Sequence, residues 1–417
     1  MASELLLLAF KYPPYAGVGG YRWSKLTKHL ARLGHRIHVL TVDWQGGGPN
    51  TLLEDVTSPN IIIHRLPSGY PHNLRYHPYS SKLIRYIRDR FFAWGLSYIY
   101  FDDEAQRWGS HVVPYGLKLI KEKGIKTIIA TGAPFQANRW AGEIKKAKPE
   151  LRLIQDFRDP WIDLPSHPAK KKLLFSQSFV QQITAWQKEA LERADVIVTI
   201  TTGLRDVYQK HHPQGNYEVI SNGFDGESLG KVIEAAIKKK EEKGLLTLTH
   251  IGNLFCGRDR PLRHLLLALR KVLDKVPKLQ VKLIGGTGGW LKREFQDLID
   301  KDALQLHPPV SQKEALRHVL QSTMALQVNA KELPYLVSTK IFEYAACKVP
   351  TLSINYGGQI ETLVRERNLG HSLHCERDSL VDFLLHIEDK AAQEFSYDID
   401  DFDYAVLAKN YSQLIES

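Results

Sequence analysis

The sequence predicts an α/β protein built from two doubly wound, parallel-sheet domains. Three observations carry this reading. Short apolar runs of strand length alternate with segments of helical spacing, the loops joining them are mostly short, and the pattern restarts near residue 220. Strand, helix and strand in close succession make a parallel βαβ unit, and a series of such units makes a doubly wound sheet.

In chain order, residues 4–10 are a buried-strand run. Residues 11–20 are a loop marked by Pro13, Pro14, Gly17, Gly19 and Gly20. Residues 21–33 place Leu26, Leu30 and Leu33 on one helical face, and Gly34 closes that helix before the strand 38–42. The alternation continues with a strand at 61–66, a helix at 112–123, a strand at 127–130 ending in Thr131-Gly132, a helix at 136–146, a strand at 152–156, a long helix at 175–193 and a strand at 196–200. After Val219-Ile220 comes the turn 221–225, then a charged stretch at 231–243. A second series follows: strand 246–251, helix 261–276, strand 279–284 ending in Gly285-Gly286, a strand through Leu306, strand 324–328, helix 340–347 and strand 350–354. The boundary falls between Tyr208 and Gly223, giving domains at 1–215 and 216–394. The last stretch, 395–417, is expected as a helix packing back on the first domain.

With 417 residues and 43% apolar content, the chain can bury a core without disulfides or metals. Its 56 Lys and Arg against 46 Asp and Glu leave a net charge of +10, which favours anionic partners. A basic stripe interleaved with aromatics inside one module is missing, and nucleic acid is set aside on that ground. Cys256, Cys347 and Cys375 are too few and scattered for a disulfide framework or a zinc site, and a reducing compartment is expected. The first residues lack a basic leader, and no apolar run approaches the roughly 20 residues that span a bilayer. A cytoplasmic chain, soluble or peripheral on the inner face of the cytoplasmic membrane, is the expectation.

Open parallel sheets bind ligands beyond the carboxyl ends of their strands, so the loops there carry the candidate chemistry. Gly17, Gly19 and Gly20 lie between a strand and a helix, where backbone N–H groups can approach an anion; a plain flexible turn fits the same residues. Arg258 and Arg260 follow the first strand of the second series, where two guanidiniums suit a diphosphate, or pair with Asp259 in solvent. Ser338 and Thr339 can cap the helix that begins at Lys340, and Glu343 sits three residues further on. Together these suit a phosphate and ribose hydroxyls, or form an ordinary capped helix with an ion pair. Arg158 and Asp159 in Asp-Phe-Arg-Asp-Pro-Trp stand at another strand end. Asn253, Gly286, Val310 and Tyr335 lie on loops of the same edge. The histidines show no metal-ligand spacing, and neither a metal nor a cofactor is expected.

Across nearly its full length the chain resembles the retaining family-4 glycosyltransferases of GT-B fold, which include bacterial polysaccharide and glycolipid glycosyltransferases. The resemblance runs through Tyr12-Pro13-Pro14, Gly19-Gly20, Arg22 and residues 33–39, through Thr131-Gly132-Ala133-Pro134-Phe135 and residues 156–161, and through Asn222-Gly223-Phe224-Asp225. It continues in residues 250–254 and 338–350. It implies two facing Rossmann-like doubly wound domains with the cleft between them, and transfer of a sugar from a UDP- or GDP-linked donor to a glycan or lipid-linked hydroxyl acceptor in surface polysaccharide synthesis. Under it Arg258, Lys340, Glu343, Arg158 and Asp159 are catalytic. Gly17, Gly19, Gly20, Asn253, Arg260, Gly286, Val310, Tyr335, Ser338 and Thr339 bind the donor. The chain departs from the family where Tyr335 replaces the first of two spaced glutamates, where Gly252-Asn253 replaces Gly-Arg, and where Arg158-Asp159 occupies the usual histidine position. These departures keep two alternatives open, a degenerate GT-B binding subunit and a sugar-nucleotide epimerase of the same fold. Residues 70–101 mix Arg75, Lys82, Arg85, Arg88 and Arg90 with Tyr79, Tyr86, Phe91, Phe92, Trp94, Tyr98 and Tyr100, a composition suited to an anionic bilayer or to a helix packed on its own domain.

Overall fold

The computed structural model describes residues 3–15, 17–44, 51–72, 81–91, 103–163, 177–237, 244–254, 257–286 and 288–417. It divides into two compact units, one made of the chain up to Ser221 together with Tyr404–Ser417, the other of Asn222–Asp403. The chain passes from the first unit to the second at 221/222.

Unit 1 holds the strands β1 (Glu4–Leu8), β2 (Arg36–Val42), β3 (Ile61–Leu66), β4 (Thr127–Gly132), β5 (Arg152–Phe157), β6 (Val196–Thr199) and β7 (Tyr217–Val219). They form one parallel sheet in the order β3-β2-β1-β4-β5-β6-β7. The helices are α1 (Val18–Arg32), α2 (Lys82–Phe91), α3 (Gly109–Lys123), α4 (Gln136–Ala147), α5 (Gln177–Glu192) and α6 (Thr202–Gln209). β1 is apolar throughout because both of its faces are covered: Leu5 and Leu7 pack with α1, while Leu6 and Leu8 pack with α3 and α4. α1 buries Trp23, Leu26 and Leu30 on one stripe. It ends where Gly34, at φ +95°, donates to Ala31 O and His35 donates to Leu30 O, the paired bonds of a left-handed helix terminus.

Unit 2 holds α7 (Gly226–Ile237), then β8 (Leu246–Ile251), α8 (Asp259–Val272), β9 (Leu279–Ile284), α9 (Trp290–Glu294), α10 (Gln296–Asp300), β10 (Leu304–His307), α11 (Gln312–Leu320), β11 (Met324–Val328), α12 (Lys340–Ala346), β12 (Thr351–Asn355), α13 (Gln359–Glu366), β13 (Gly370–His374), α14 (Leu380–Leu385) and α15 (Ile387–Ala391). Its parallel sheet runs β10-β9-β8-β11-β12-β13. Part of the stretch read only as charged is α7. β13 was not anticipated, because Gly-His-Ser-Leu-His is polar and only half-buried on the sheet edge. Both sheets reverse their strand order once, between β1 and β4 and between β8 and β11. The loops after those four strands are where an open parallel sheet leaves a crevice.

The last helix, α16 (Tyr404–Glu416), belongs to unit 1 and packs on α1. Asp156, fully buried at the end of β5, joins them. Its Oδ1 accepts from Tyr411 Oη at 2.7 Å and from Arg22 Nη2 at 3.2 Å; its Oδ2 accepts from Trp23 Nε1 at 2.9 Å and Thr131 Oγ1 at 2.8 Å. Arg22 also donates to Ser221 O at 2.6 Å and Ile220 O at 2.8 Å. Burial alone would raise the Asp156 carboxyl, but the Arg22 charge and the Tyr411 and Trp23 donors outweigh it and hold the group below the usual carboxylate range. A depressed folded-state value adds stability that is present above the unfolded carboxylate range near pH 4 and is lost as pH falls through the folded value. Asp156→Ala leaves Arg22 buried without its counter-charge, and urea melts should show a loss of about 3–5 kcal/mol. Tyr411→Phe should cost about 1 kcal/mol, and Asp156→Ala should show a weaker acid-side dependence of stability than wild type. Equal stability of Asp156→Ala and wild type would contradict this account.

Candidate functional site

In unit 2 the site is built on two glycine turns at the carboxyl ends of β8 and β9. Gly252 has φ +90° and Gly285 φ +137°. A Cβ on Gly285 would stand 2.5 Å from Gly252 O, so only glycine lets the turns approach this closely. Gly252 N donates to Ile284 O at 2.6 Å, and the Asn253 side chain accepts from Gly286 N at 3.0 Å. Asn253, a candidate donor ligand in the sequence, is therefore occupied in stitching Gly286 to the first turn. Arg258, just before α8, donates from Nη1 to Asn253 O at 3.2 Å.

Lys340 opens α12 and lays its side chain over Gly252: Cε lies 2.6 Å from where a Cβ on that residue would be. Its ammonium has no carboxylate within ion-pair distance among the described residues. Burial, and then the neighbouring Arg258 charge, lower its pKa to about 8, while Glu343 pulls it partly back. Glu343 is buried, and its Oε1 accepts from Gln312 Nε2 at 2.5 Å. Gln312 begins α11, whose N-cap Ser311 accepts from Glu314 N, and half-buried Val310 precedes that cap. Lys340, Arg258, Glu343, Asn253, Gly286 and Val310 thus share the β8 side of the sheet.

Other residues of the sequence reading stand differently. Thr339 is helical and gives no side-chain cap to α12, contrary to the expected capping by Ser338 or Thr339; the bonds into the first turn come from their backbone oxygens, Ser338 O to Ile341 N and Thr339 O to Phe342 N. Arg260 is exposed, and its charge is felt at Tyr356, Cys375 and Glu376 rather than at Lys340. Tyr335 is half-buried in the loop after β11, which Asn329 Nδ2 ties down through Leu336 O. Cys256 lies outside the described residues.

Two unit 2 residues escaped the sequence reading. Gln312 touches Glu343 from 31 positions away, and its only local signal is its place at a helix start beside Val310. His250, at the end of β8, was quoted only as part of a motif. It is fully buried and donates from Nδ1 to Leu326 O at 2.9 Å, which leaves Nε2 an acceptor with no hydrogen-bond partner among the described residues. Burial, then the Lys340 charge, lower its pKa to about 3 and keep the ring neutral.

In unit 1, Arg158 follows β5 and its guanidinium packs against Gly19, 3.2 Å from where a Cβ there would stand. Its Nε donates to Gly132 O at 3.0 Å and Nη2 to Ala133 O at 3.1 Å. Lys11, which the sequence reading did not single out, lies on the other side of Gly19 and stacks its amine 5.4 Å from the Tyr15 ring. Burial raises the Asp159 carboxyl above the usual range, and Arg158 and Lys11 pull it partly back. Gly17 and Gly20 both sit against Tyr15, and Gly20 N and Tyr21 N return to Gly17 O in the first turn of α1. Gly17, Gly19, Gly20, Arg158 and Asp159 are therefore neighbours at one sheet edge. Among the described residues no group of three His, Cys, Asp or Glu side chains is arranged to hold a metal. What unit 2 offers chemically is two adjacent cations and a buried carboxylate at a strand-order reversal, a setting that receives a negative group.

Comparison with known proteins bears on the fold. A glycosyl transferase 4-like domain model matches residues 19–223, and a glycosyl transferase-like model matches residues 260–395. Among solved structures the chain is similar to a glycosyltransferase from Rickettsia africae, with 13% identity, a TM-score of 0.64 and coverage of 100% of this chain and 98% of that one. It is similar to a lipopolysaccharide outer core galactosyltransferase at 12% identity and TM-score 0.59, covering 99% of each chain. It is also similar to the catalytic domain of starch synthase IV from Arabidopsis thaliana, bound to ADP and acarbose, at 13% identity and TM-score 0.62 with 100% and 99% coverage. No curated protein sequence matches the chain. The chain belongs to the GT-B glycosyltransferases.

A half-buried ammonium with no carboxylate at ion-pair distance among the described residues destabilises the free chain, and an anion beside it favours its charged form. Lys340→Met should stabilise the free chain by roughly 1–3 kcal/mol, seen as a higher melting temperature. The same variant should lose the stabilisation that a nucleoside diphosphate gives the wild type. Because the folded-state value is lowered, diphosphate affinity in the wild type should fall as pH rises through about 8. Calorimetric titration across that range checks the slope, and an unchanged affinity from pH 7 to 9 contradicts the assignment.

Proposed function

We propose that the chain moves a glycosyl residue from a UDP- or GDP-linked donor to a hydroxyl of a glycan or lipid-linked oligosaccharide. The setting proposed is surface polysaccharide synthesis, with the chain held peripherally on the inner face of the cytoplasmic membrane through residues 70–101. The observation that carries this reading is the half-buried Lys340 ammonium, beside Arg258 and over Gly252, with no carboxylate at ion-pair distance among the described residues. A cation so placed is stabilised by a diphosphate. In transfer, the bond from the anomeric carbon to the distal phosphate oxygen breaks, the bond to the acceptor oxygen forms, and the acceptor proton passes to the departing diphosphate. The charge that develops on the departing diphosphate is what Lys340 and Arg258 would stabilise. Glu343, held by Gln312, would accept hydrogen bonds from the ribose hydroxyls. Retention of configuration follows from the family-4 resemblance and needs no enzyme nucleophile. In unit 1, Arg158 and Asp159 would face the acceptor, and the glycines at 17, 19 and 20 would supply backbone N–H groups.

One similar structure is a lipopolysaccharide outer core galactosyltransferase and another is a starch synthase bound to ADP, which supports a surface-glycan acceptor and a nucleoside diphosphate leaving group here. A melting-temperature panel with UDP, GDP, ADP and dTDP should single out one base. Saturating nucleotide at a hundredfold excess over Kd should add about 2.7 kcal/mol. With labelled donor, Glu343→Gln and Arg258→Ala should each lower turnover about 10²-fold or more while folding is kept. A released nucleotide with a new glycoside supports transfer. Interconversion of the donor without release would favour epimerisation instead, and near-normal turnover in both variants would discard the assigned donor residues.

A further inference from the structure

Helix α2 (Lys82–Phe91) carries an apolar face that unit 1 does not bury. Leu83 is 66% exposed, Ile84 48%, Ile87 58% and Phe91 51%. At 100° per residue these four fall within an arc of about 100°. Arg90 borders that arc on one side and Arg88 on the other; Arg85 lies further round. The one carboxylate of the helix, Asp89, is on the opposite face and is paired with Arg88 at 2.9 Å. Tyr86, 59% exposed, sits beyond Arg90, whose guanidinium lies 5.7 Å from its ring. The aromatic residues at 79, 92, 94, 98 and 100 that suggested a lipid contact in the sequence lie outside the described residues. The aliphatic side chains of α2 were not part of that argument.

The geometry points to α2 as an in-plane anchor on an anionic lipid bilayer, with Leu83, Ile84, Ile87 and Phe91 in the headgroup–acyl boundary and the flanking arginines on lipid phosphates. It rests on the peripheral placement proposed above and names the face that makes it. Ten residues span about 15 Å, half of a bilayer core, so the helix lies on the membrane and does not cross it. No helix among the described residues is long and apolar enough to cross. A stripe one helix wide, bordered by exposed Arg90 on one side and by the Arg88–Asp89 pair on the other, with exposed Arg85 further round, matches an anionic headgroup layer: the apolar side chains sink about 5–10 Å while the Arg90 and Arg85 guanidiniums stay at the phosphates. The net charge of +10 acts in the same direction.

Flotation of the full chain with phosphatidylcholine vesicles containing one-third phosphatidylglycerol tests this. The wild type should float at low salt, float less at high salt, and stay down with phosphatidylcholine alone. The triple variants Leu83→Ser/Ile84→Ser/Ile87→Ser and Arg85→Glu/Arg88→Glu/Arg90→Glu should each partition at least about tenfold less. Should either triple variant fail to fold, Ile87→Ser and Arg90→Glu carry the same comparison. A wild type that stays down with anionic vesicles at low salt overturns the proposal. So does a serine variant that floats as well as wild type, since that surface would then be purely electrostatic and suited to an acidic protein. Nucleotide-induced melting shifts on the same samples test the transferase reading separately: flotation without any nucleotide response would sink that reading and leave the anchor standing.

Discussion

The contact between Arg22 and Asp156 is the constraint on which unit 1 depends. A guanidinium and a carboxylate, both without solvent, survive only if nearly every lone pair and proton is matched. Asp156 draws donors from α1, β4 and α16, while Arg22 reaches on to the carbonyls of Ile220 and Ser221. One ion pair therefore fixes the first helix, the end of the central strands, the last helix and the point where the chain leaves the unit. Arg158, two residues after Asp156, inherits a fixed starting point, and its three-way contact with Gly19, Gly132 O and Ala133 O follows from it.

Unit 2 is organised on the opposite electrostatic principle. Where unit 1 matches the Arg22 and Asp156 charges, unit 2 leaves that of Lys340 in deficit. Lys340 is pressed against a glycine that has no side chain to displace it, beside a second cation, and its nearest acidic influence is a Glu343 already engaged by Gln312. The cost appears as a lowered pKa, and a ligand that brings negative charge removes it. Neutral His250, fixed by Leu326 O, adds no further positive charge to the deficit.

Much of the fold was legible because both sheets are covered on two faces, so their inner strands are continuous apolar runs such as Leu5–Leu8 and helix ends carry glycine, as at Gly34. β13 was not legible because an edge strand needs no such run. Residues whose chemistry depends on their own charge, such as Arg158, Arg258, Lys340 and Glu343, stood out in the sequence. Those whose part depends on a distant partner did not. Gln312 meets Glu343 across 31 positions and Tyr411 meets Asp156 across 255, and no local pattern encodes either meeting. Asn253 shows the converse: its position was noticed, but its bond to the Gly286 backbone can be seen only once two separate turns stand side by side.

The return of α16 to unit 1 makes unit 2 covalently an insertion between Ser221 and Tyr404. A ribosome delivers Arg22, Asp156 and the Ile220 and Ser221 carbonyls first, then all of unit 2, and only then Tyr411. During synthesis the earlier unit waits with its buried ion pair short of one partner and the α1 surface uncovered, while the later unit has every one of its residues in hand. The order in which the two units reach completion is thus the reverse of the order in which their chains begin.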